Sequence, residues 1–409
     1  MSFNLKKKIL DNNLKVLMIP NKKFETVSVG IFVKVGSRYE TKKNNGISHF
    51  LEHMLFKDKK LVEKLDCLGA KYNAETSYET THYYIYGSRN DYIDFIDIIS
   101  DIYNSKTFKK EDIAKEKSVI IEEYNMTVDD ADELINNEVN KKVFNNSSMK
   151  LPIIGTKKNI KSFTKKDLEN YWKKYYVPPN TMFVISGNFN VTKAFNKIKE
   201  KFEKIKYTDK KDYLLEIPKP IIQKELKIHL LEEDTSQTNI MITYKSTSMI
   251  EINDIYYKII SDILSSGCTS RLFKLLRDKL GISYYNYSYN LSYLHEGVFI
   301  INVGVDASRT KECINEILKE IEKLKKHGIT NLELEKSKKI RNTHYMFLIS
   351  DPVDIMNHFG FLELFDIKDN FHKINKIDKI QVQDINNIIN KIFDKNNLNI
   401  FIHGEIKKK

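Results

Sequence analysis

The segment VSVGIFVKV, residues 27–35, sets Val27, Val29, Ile31, Val33 and Val35 on one side of an extended chain, the two-residue period of a strand with one buried face. Short apolar, β-rich stretches around Tyr84, Val184, Ile242, Ile301 and Ile400 read as further strands. Between them, residues 92–104, 110–126, 165–176 and 310–326 carry apolar side chains three and four positions apart among charges, the stripe of a surface helix. The opening MSFNLKKKILDNNLKVLMIP has no long apolar run followed by small residues and reads as a first strand, not a secretory signal. SYYNYSYNLSY alternates with period two, which fits a strand with one packed face better than a base-stacking platform. The mixture predicts an α+β fold.

The pattern also repeats. FKKEDIAKEKSVIIEEY (108–124) and ITNLELEKSKKIRNTHY (329–345) share a charged helical pattern ending in Tyr. Each half ends in an apolar strand broken by glycine, at Gly187 and Gly404, and each has a Leu-Gly after a helix, at Gly69 and Gly281. Two similar domains explain this. The charged, proline-containing stretch KYTDKKDYLLEIPKPII, 206–222, is the expected linker, so the domains are read as 1–205 and 223–409.

Composition narrows the class. With 409 residues, 41% of them hydrophobic and 30% charged, and with only 14 Gly and 7 Pro, the chain is long enough for two or three cores and too regular for disorder. The net charge of +12 comes from lysines spread along the whole chain, which argues against a dedicated nucleic-acid face. Cys67, Cys268 and Cys313 lie far apart and form no CxxC pair, so neither a thiolate zinc site nor a disulfide framework is expected and a reducing, cytoplasmic setting is favoured. No apolar run reaches the length of a membrane span.

The segment GISHFLEHMLF carries the chemistry. His49, Glu52 and His53 stand in the order H-x-x-E-H, and on a helix the two imidazoles, four apart, face one point with Glu52 beside them. That is a metal site with an attached general base, in the order found in inverted zinc peptidases. Two histidines leave a catalytic zinc one protein ligand short. The helix 110–126 offers Glu116, Glu122 and Glu123; Glu116 and Glu123 stand seven apart on one face, with Glu122 turned away by about 100°. Glu123 is read as the third ligand and Glu116 as its support.

With these residues in view the chain resembles the pitrilysin and insulinase family of zinc peptidases, in the short branch containing mitochondrial processing peptidase and its bacterial relatives. The resemblance runs through VKVGSRYE, GISHFLEHMLFK, LGAKYNAETSYETTHYY, KEKSVIIEEY, IIGTKKNIKSFTKKDLENYWKKYYVPPNTMFVISGN and SGCTSRLFKLLRDKLGISYY, in order over nearly the whole chain. It implies two homologous α+β domains, each an antiparallel-rich sheet flanked by helices, forming half of a clamshell. The first domain would carry one Zn2+ on His49, His53 and Glu123, with Glu52 as base and Glu116 in support. Asn73 and Ala74 would form the edge strand that pairs with extended substrate. Arg277 and Tyr284, seven apart in the second domain, would anchor a substrate carbonyl and stabilise the oxyanion. The second half lacks H-x-x-E-H and has Ser337 and His344 where the repeat places Glu116 and Glu123, as in a degenerate partner domain. The implied function is a zinc metalloendopeptidase acting on peptides or unfolded leader segments, as a homodimer or with a related chain, without nucleic-acid or membrane partners. A non-catalytic, substrate-holding subunit is the alternative.

Overall fold

The computed structural model of the chain describes residues 4–105, 108–207, 213–214, 225–233, 235, 237–251, 254–367 and 377–405. The expected linker, 206–222, falls for the most part outside these residues. In chain order the helices are α1 Ile47–Leu55, α2 Lys59–Cys67, α3 Tyr92–Asn104, α4 Lys110–Asp129, α5 Ala131–Val143, α6 Lys157–Ser162, α7 Lys165–Tyr175, α8 Val191–Phe202, α9 Asp254–Ser265, α10 Thr310–His327, α11 Asn331–Leu348, α12 Pro352–Leu364 and α13 Val382–Ile392. The strands are β1 Lys6–Ile9, β2 Lys15–Pro20, β3 Thr26–Val33, β4 Lys71–Thr76, β5 Thr81–Ser88, β6 Thr181–Gly187, β7 Lys227–Glu232, β8 Gln237–Ser246, β9 Ser283–Ser292, β10 Gly297–Asp306 and β11 Leu398–Gly404. Among the described residues no helix is long and apolar enough to cross a membrane.

Packing divides the chain into two units, one built from Met1–Thr127, Ser147–Ile217 and Met346–Lys368, the other from Val128–Asn146, Pro218–Tyr345 and Asp369–Lys409. The first holds a six-stranded sheet in the order β1-β2-β6-β3-β5-β4. The N-terminal residues form two strands where one was expected. Asn13, at φ +69°, closes a tight turn with its N–H on the Leu10 carbonyl, and β1 pairs back on β2; asparagine tolerates this left-handed backbone better than most residues.

Strand β3 also departs from its expected half-buried character. Val27, Val29, Ile31 and Val33 face one core with α1, α3, α7 and α8, yet Ser28, Gly30 and Phe32 on the opposite face are buried too. The reason is α12, begun by Pro352 in its first turn and capped by the Asp351 carboxylate on the Val353 N–H. Met356 of α12 lies so close to β3 that a Cβ at Gly30 would come within 2.8 Å of its sulfur. A helix from the far end of the chain thus covers the face that local sequence leaves open.

The second unit holds five strands in the order β7-β11-β8-β10-β9. Its pairings repeat those of β2-β6-β3-β5-β4, with one parallel pair followed by three antiparallel ones. Gly69 and Gly281 occupy matching places, each two residues ahead of the edge strand and at φ +59° and +60°, where a side chain would be strained. One face of this sheet packs on α9, α10 and α13 through Ile240, Ile242, Ile301, Ile317 and Ile389. Helix α5, from the first half of the chain, packs against β8 and β11. Asp262 of α9 accepts a 2.7 Å hydrogen bond from Ser337 of α11 and pairs with Arg341.

Phe359→Ala, in α12, should destabilise the protein by about 3–5 kcal/mol in urea unfolding, the usual cost of emptying a fully packed Phe site. A change within error would show that α12 does not complete the first core.

Candidate metal centre

Helix α1 begins after Gly46 and bears no side-chain cap of its own. Its free N–H groups are met by Glu40, 4% exposed. Oε2 accepts from the Gly46 N–H at 2.7 Å and from Asn45 Nδ2 at 3.0 Å, while Oε1 accepts from the Ser48 N–H at 2.8 Å. Burial pushes the Glu40 pKa up, and the Gly46 and Ser48 hydrogen bonds oppose that shift. A carboxylate at a helix N-terminus also meets the positive end of the helix dipole. At the start of the same helix Ser48 Oγ and Tyr171 Oη are 2.7 Å apart, tying α1 to α7.

Held in this way, α1 turns both histidines toward α4. His49 Nε2 lies 3.4 Å from Glu123 Oε1, and His53 Nε2 lies 3.4 Å from Glu123 Oε2. One donor atom from each of the three residues falls within 4.8 Å of the others. Glu116, one face and two turns back along α4, is 2.8 Å from His53 Nδ1 and also pairs with Lys57. It therefore orients the His53 ring and leaves Nε2 directed at Glu123, the arrangement typical of a metal-bound histidine. Among the described residues His49 has no such orienting partner; its Nδ1 is buried without a hydrogen bond there. Glu122 points away and is exposed.

The electrostatics follow from this packing. Burial works to lower the His53 pKa, but hydrogen bonds to Glu116 and Glu123 raise it to about 9. Glu123 is held well below the usual carboxylate range, chiefly by its bond to His49 and then by that to His53. Burial pushes Glu116 up, and His53 and Lys57 together bring it below its ordinary value. A proton shared in this way is what a divalent ion displaces when it enters a His-carboxylate site. Two imidazole nitrogens and one carboxylate, converging on one point, suit zinc in both ligand type and number.

Glu52, on the same helix, accepts a 2.8 Å hydrogen bond on Oε2 from Thr76 Oγ1 at the end of β4. Among the described residues strand β4 is the outer strand of its sheet, paired only with β5. Asn73 is exposed on it, and its Oδ1 accepts the Ala74 N–H at 2.9 Å, so that group is satisfied by a neighbouring side chain. In the other unit Arg277, in the π-helical turn Phe273–Lys279, donates from Nη1 to the Tyr284 carbonyl at 2.9 Å. The Tyr284 side chain, at the start of β9, is exposed.

The structure thus gathers His49, His53, Glu123, Glu116 and Glu52 in one place. Glu40, Lys57 and Thr76 belong to the same place and escaped the sequence reading. Glu40 and Thr76 lie inside the quoted segments VKVGSRYE and KYNAETSYE, but nothing in the spacing says that one carboxylate reaches a helix six residues on. Only strand pairing brings Thr76 to Glu52.

Residues 15–157 match the family described as insulinase, peptidase family M16, and residues 162–341 match its "peptidase M16 inactive domain". An uncharacterized zinc protease of Rickettsia felis is 32% identical over 330 residues, covering 79% of this chain and 78% of that one. The uncharacterized zinc protease YmxG of Bacillus subtilis is 29% identical over 402 residues, 95% and 96% of the two chains. The crystal structure of a protease from Helicobacter pylori superposes with a TM-score of 0.89 at 23% identity, covering 99% of this chain and all of that one.

Glu40→Ala should cost about 3 kcal/mol of stability in metal-free protein, because it leaves buried N–H donors at the start of α1 without an acceptor. Glu40→Gln, which keeps an acceptor oxygen, should cost clearly less. Equal loss in the two variants would assign the stabilisation to charge alone.

Proposed function

The chain belongs to the insulinase family of M16 peptidases, and on that premise we propose that it is a zinc metalloendopeptidase hydrolysing peptide bonds in peptides or unfolded leader segments. The observation that carries this reading is the convergence of His49, His53 and Glu123 donor atoms beside Glu52. Zinc held by those three groups would supply a Lewis acid that polarises the scissile carbonyl and acidifies water. Every remaining task falls to side chains of the protein.

Glu52 is the general base. Thr76 occupies its Oε2, leaving Oε1 to take a proton from water as the new C–O bond forms. The same carboxyl then gives that proton to the departing amine nitrogen as the C–N bond breaks. Glu116 keeps the His53 ring aligned throughout. Substrate is proposed to lie extended along the outer side of β4, in the manner of strand addition. The Ala74 N–H, now held by Asn73 Oδ1, would there exchange a side-chain acceptor for a substrate carbonyl. Arg277 and Tyr284 are proposed as further substrate contacts, the first for a carbonyl and the second as a hydroxyl donor to developing negative charge. The exposed Tyr284 side chain supports that role.

Purified protein should bind one zinc per chain, and His49→Ala, His53→Ala and Glu123→Ala should each strip it in dialysis followed by metal analysis. Zinc retained in full by Glu123→Ala would move the third ligand elsewhere.

Glu52→Gln should keep the metal while lowering kcat by roughly a hundred- to ten-thousandfold on a quenched fluorescent peptide, since only the proton acceptor is removed. Wild-type turnover in this variant would end the assignment of Glu52 as base.

A further inference from the structure

An open cleft of about 400 Å³ lies in the first unit between the turn leading into α1 and helix α7, a volume in the range of small-molecule sites. None of the groups of the metal centre lines it. On α7, Asn170, Tyr171 and Lys174 follow Asp167 at three, four and seven positions, the spacing that sets side chains on one helical face. The floor is apolar: Ile47, the first residue of α1, Phe163, just ahead of α7, and Tyr171 are all buried. Because the Tyr171 hydroxyl is already engaged with Ser48, the floor offers its ring and not a hydrogen bond.

The rim is polar, with donors in surplus. Asn44 receives the Thr41 N–H and hydroxyl on Oδ1, each at 2.7 Å, which leaves its Nδ2 to donate. Lys174 holds its ammonium 4.8 Å from the centre of the Tyr175 ring, and among the described residues neither it nor Lys43 pairs with a carboxylate. Asp167, the acid among the lining residues, is turned to another task. Its Oδ2 accepts the Thr164 N–H at 2.9 Å and the Thr164 hydroxyl at 2.6 Å, in the capping box that starts α7. Two ammonium groups against this one carboxylate leave one positive charge uncompensated above an apolar floor.

We propose that this cleft binds a small amphipathic carboxylate, with its apolar body on Ile47, Phe163 and Tyr171 and its charge at the rim beside Lys43 and Lys174. An apolar body alone would leave the ammonium groups unanswered, and a bare anion would leave the floor uncovered. The inference stands apart from the peptidase reading, since none of these side chains takes part in the proposed chemistry.

The chain's single tryptophan, Trp172, follows Tyr171 on α7, so its emission reports on the cleft. Octanoate, octylammonium and acetate are to be titrated into the full-length protein, followed by calorimetry and by Trp172 emission. Octanoate should saturate one site per chain. Octylammonium, which keeps the body and reverses the charge, and acetate, which keeps the charge without the body, should each bind at least about tenfold more weakly. Lys43→Gln combined with Lys174→Gln should weaken octanoate about tenfold, the scale of two exposed ion pairs, without shifting the unfolding temperature of the ligand-free protein. Should the double variant fail to fold, Lys43→Gln alone, at an exposed position, carries the same test with a smaller effect. Asn170→Tyr, which fills the mouth from another exposed position, should abolish binding. A short acetylated peptide ending in leucine with a free carboxylate separates the two sources of this chemistry: tighter binding of octanoate assigns the cleft to a free acid, the reverse to a peptide end. No saturation by any of these carboxylates, an affinity for octylammonium equal to that for octanoate, or octanoate binding untouched by the lysine variants and by Asn170→Tyr overturns the inference.

Discussion

A single buried carboxylate fixes the frame from which the site is built. Glu40 receives the first N–H groups of α1, and everything that α1 presents inherits its position. Because the helix is rigid, holding one end sets the directions of His49, Glu52 and His53 together. Near Glu40 in the same loop lies a second buried charge, Arg38, paired with Glu79 in the turn between β4 and β5, both under 4% exposed. Buried ion pairs contribute little net stability but are costly to break. The loop therefore behaves as a clamp between α1 and the hairpin that contains β4, and Thr76 adds a second tie to the same helix from that hairpin.

What the sequence made legible was local. The H-x-x-E-H spacing, the seven-residue step between Glu116 and Glu123 and the helical stripes of α3, α4, α7 and α10 depend on neighbours within two or three turns, and periodicity reports such neighbours directly. Illegible features depended on distant chain. The far face of β3 was read as open because its cover, α12, lies more than 300 residues downstream. His82 gave no signal in its strand; its pKa, driven down to about 4, comes from burial, with its ring stacked on Phe32 and Tyr84. The opening hairpin was missed because Asp11-Asn12-Asn13 was not taken as a turn.

The duplicated architecture joins the corresponding helix pair of the second unit by different chemistry. Helix α9 follows β8 as α1 follows β3, and α11 occupies the place of α4 in the repeat. In the second unit Asp262, Ser337 and Arg341 join these two helices, so a carboxylate, a hydroxyl and a guanidinium bridge the pair that corresponds in chain order to α1 and α4. Burial pushes the Asp262 pKa up, and the nearby arginine opposes this. A fixed cation cannot leave, so this junction needs no bound ion to hold the two helices together.

The exchange of α5 and α12 between the chain halves has a consequence for the order of synthesis. Strands β1 to β6 are complete by Gly187, yet the face bearing Phe32, Met182 and Val184 acquires Ile355, Met356 and Phe359 only when the chain has been made past Leu364. Until then a fully formed sheet exposes an apolar surface, the state most open to aggregation and to capture by chaperones. The first unit to be started is thus among the last to be finished, and a nascent chain stalled between β6 and α12 carries His49, His53 and Glu123 on a half-covered scaffold.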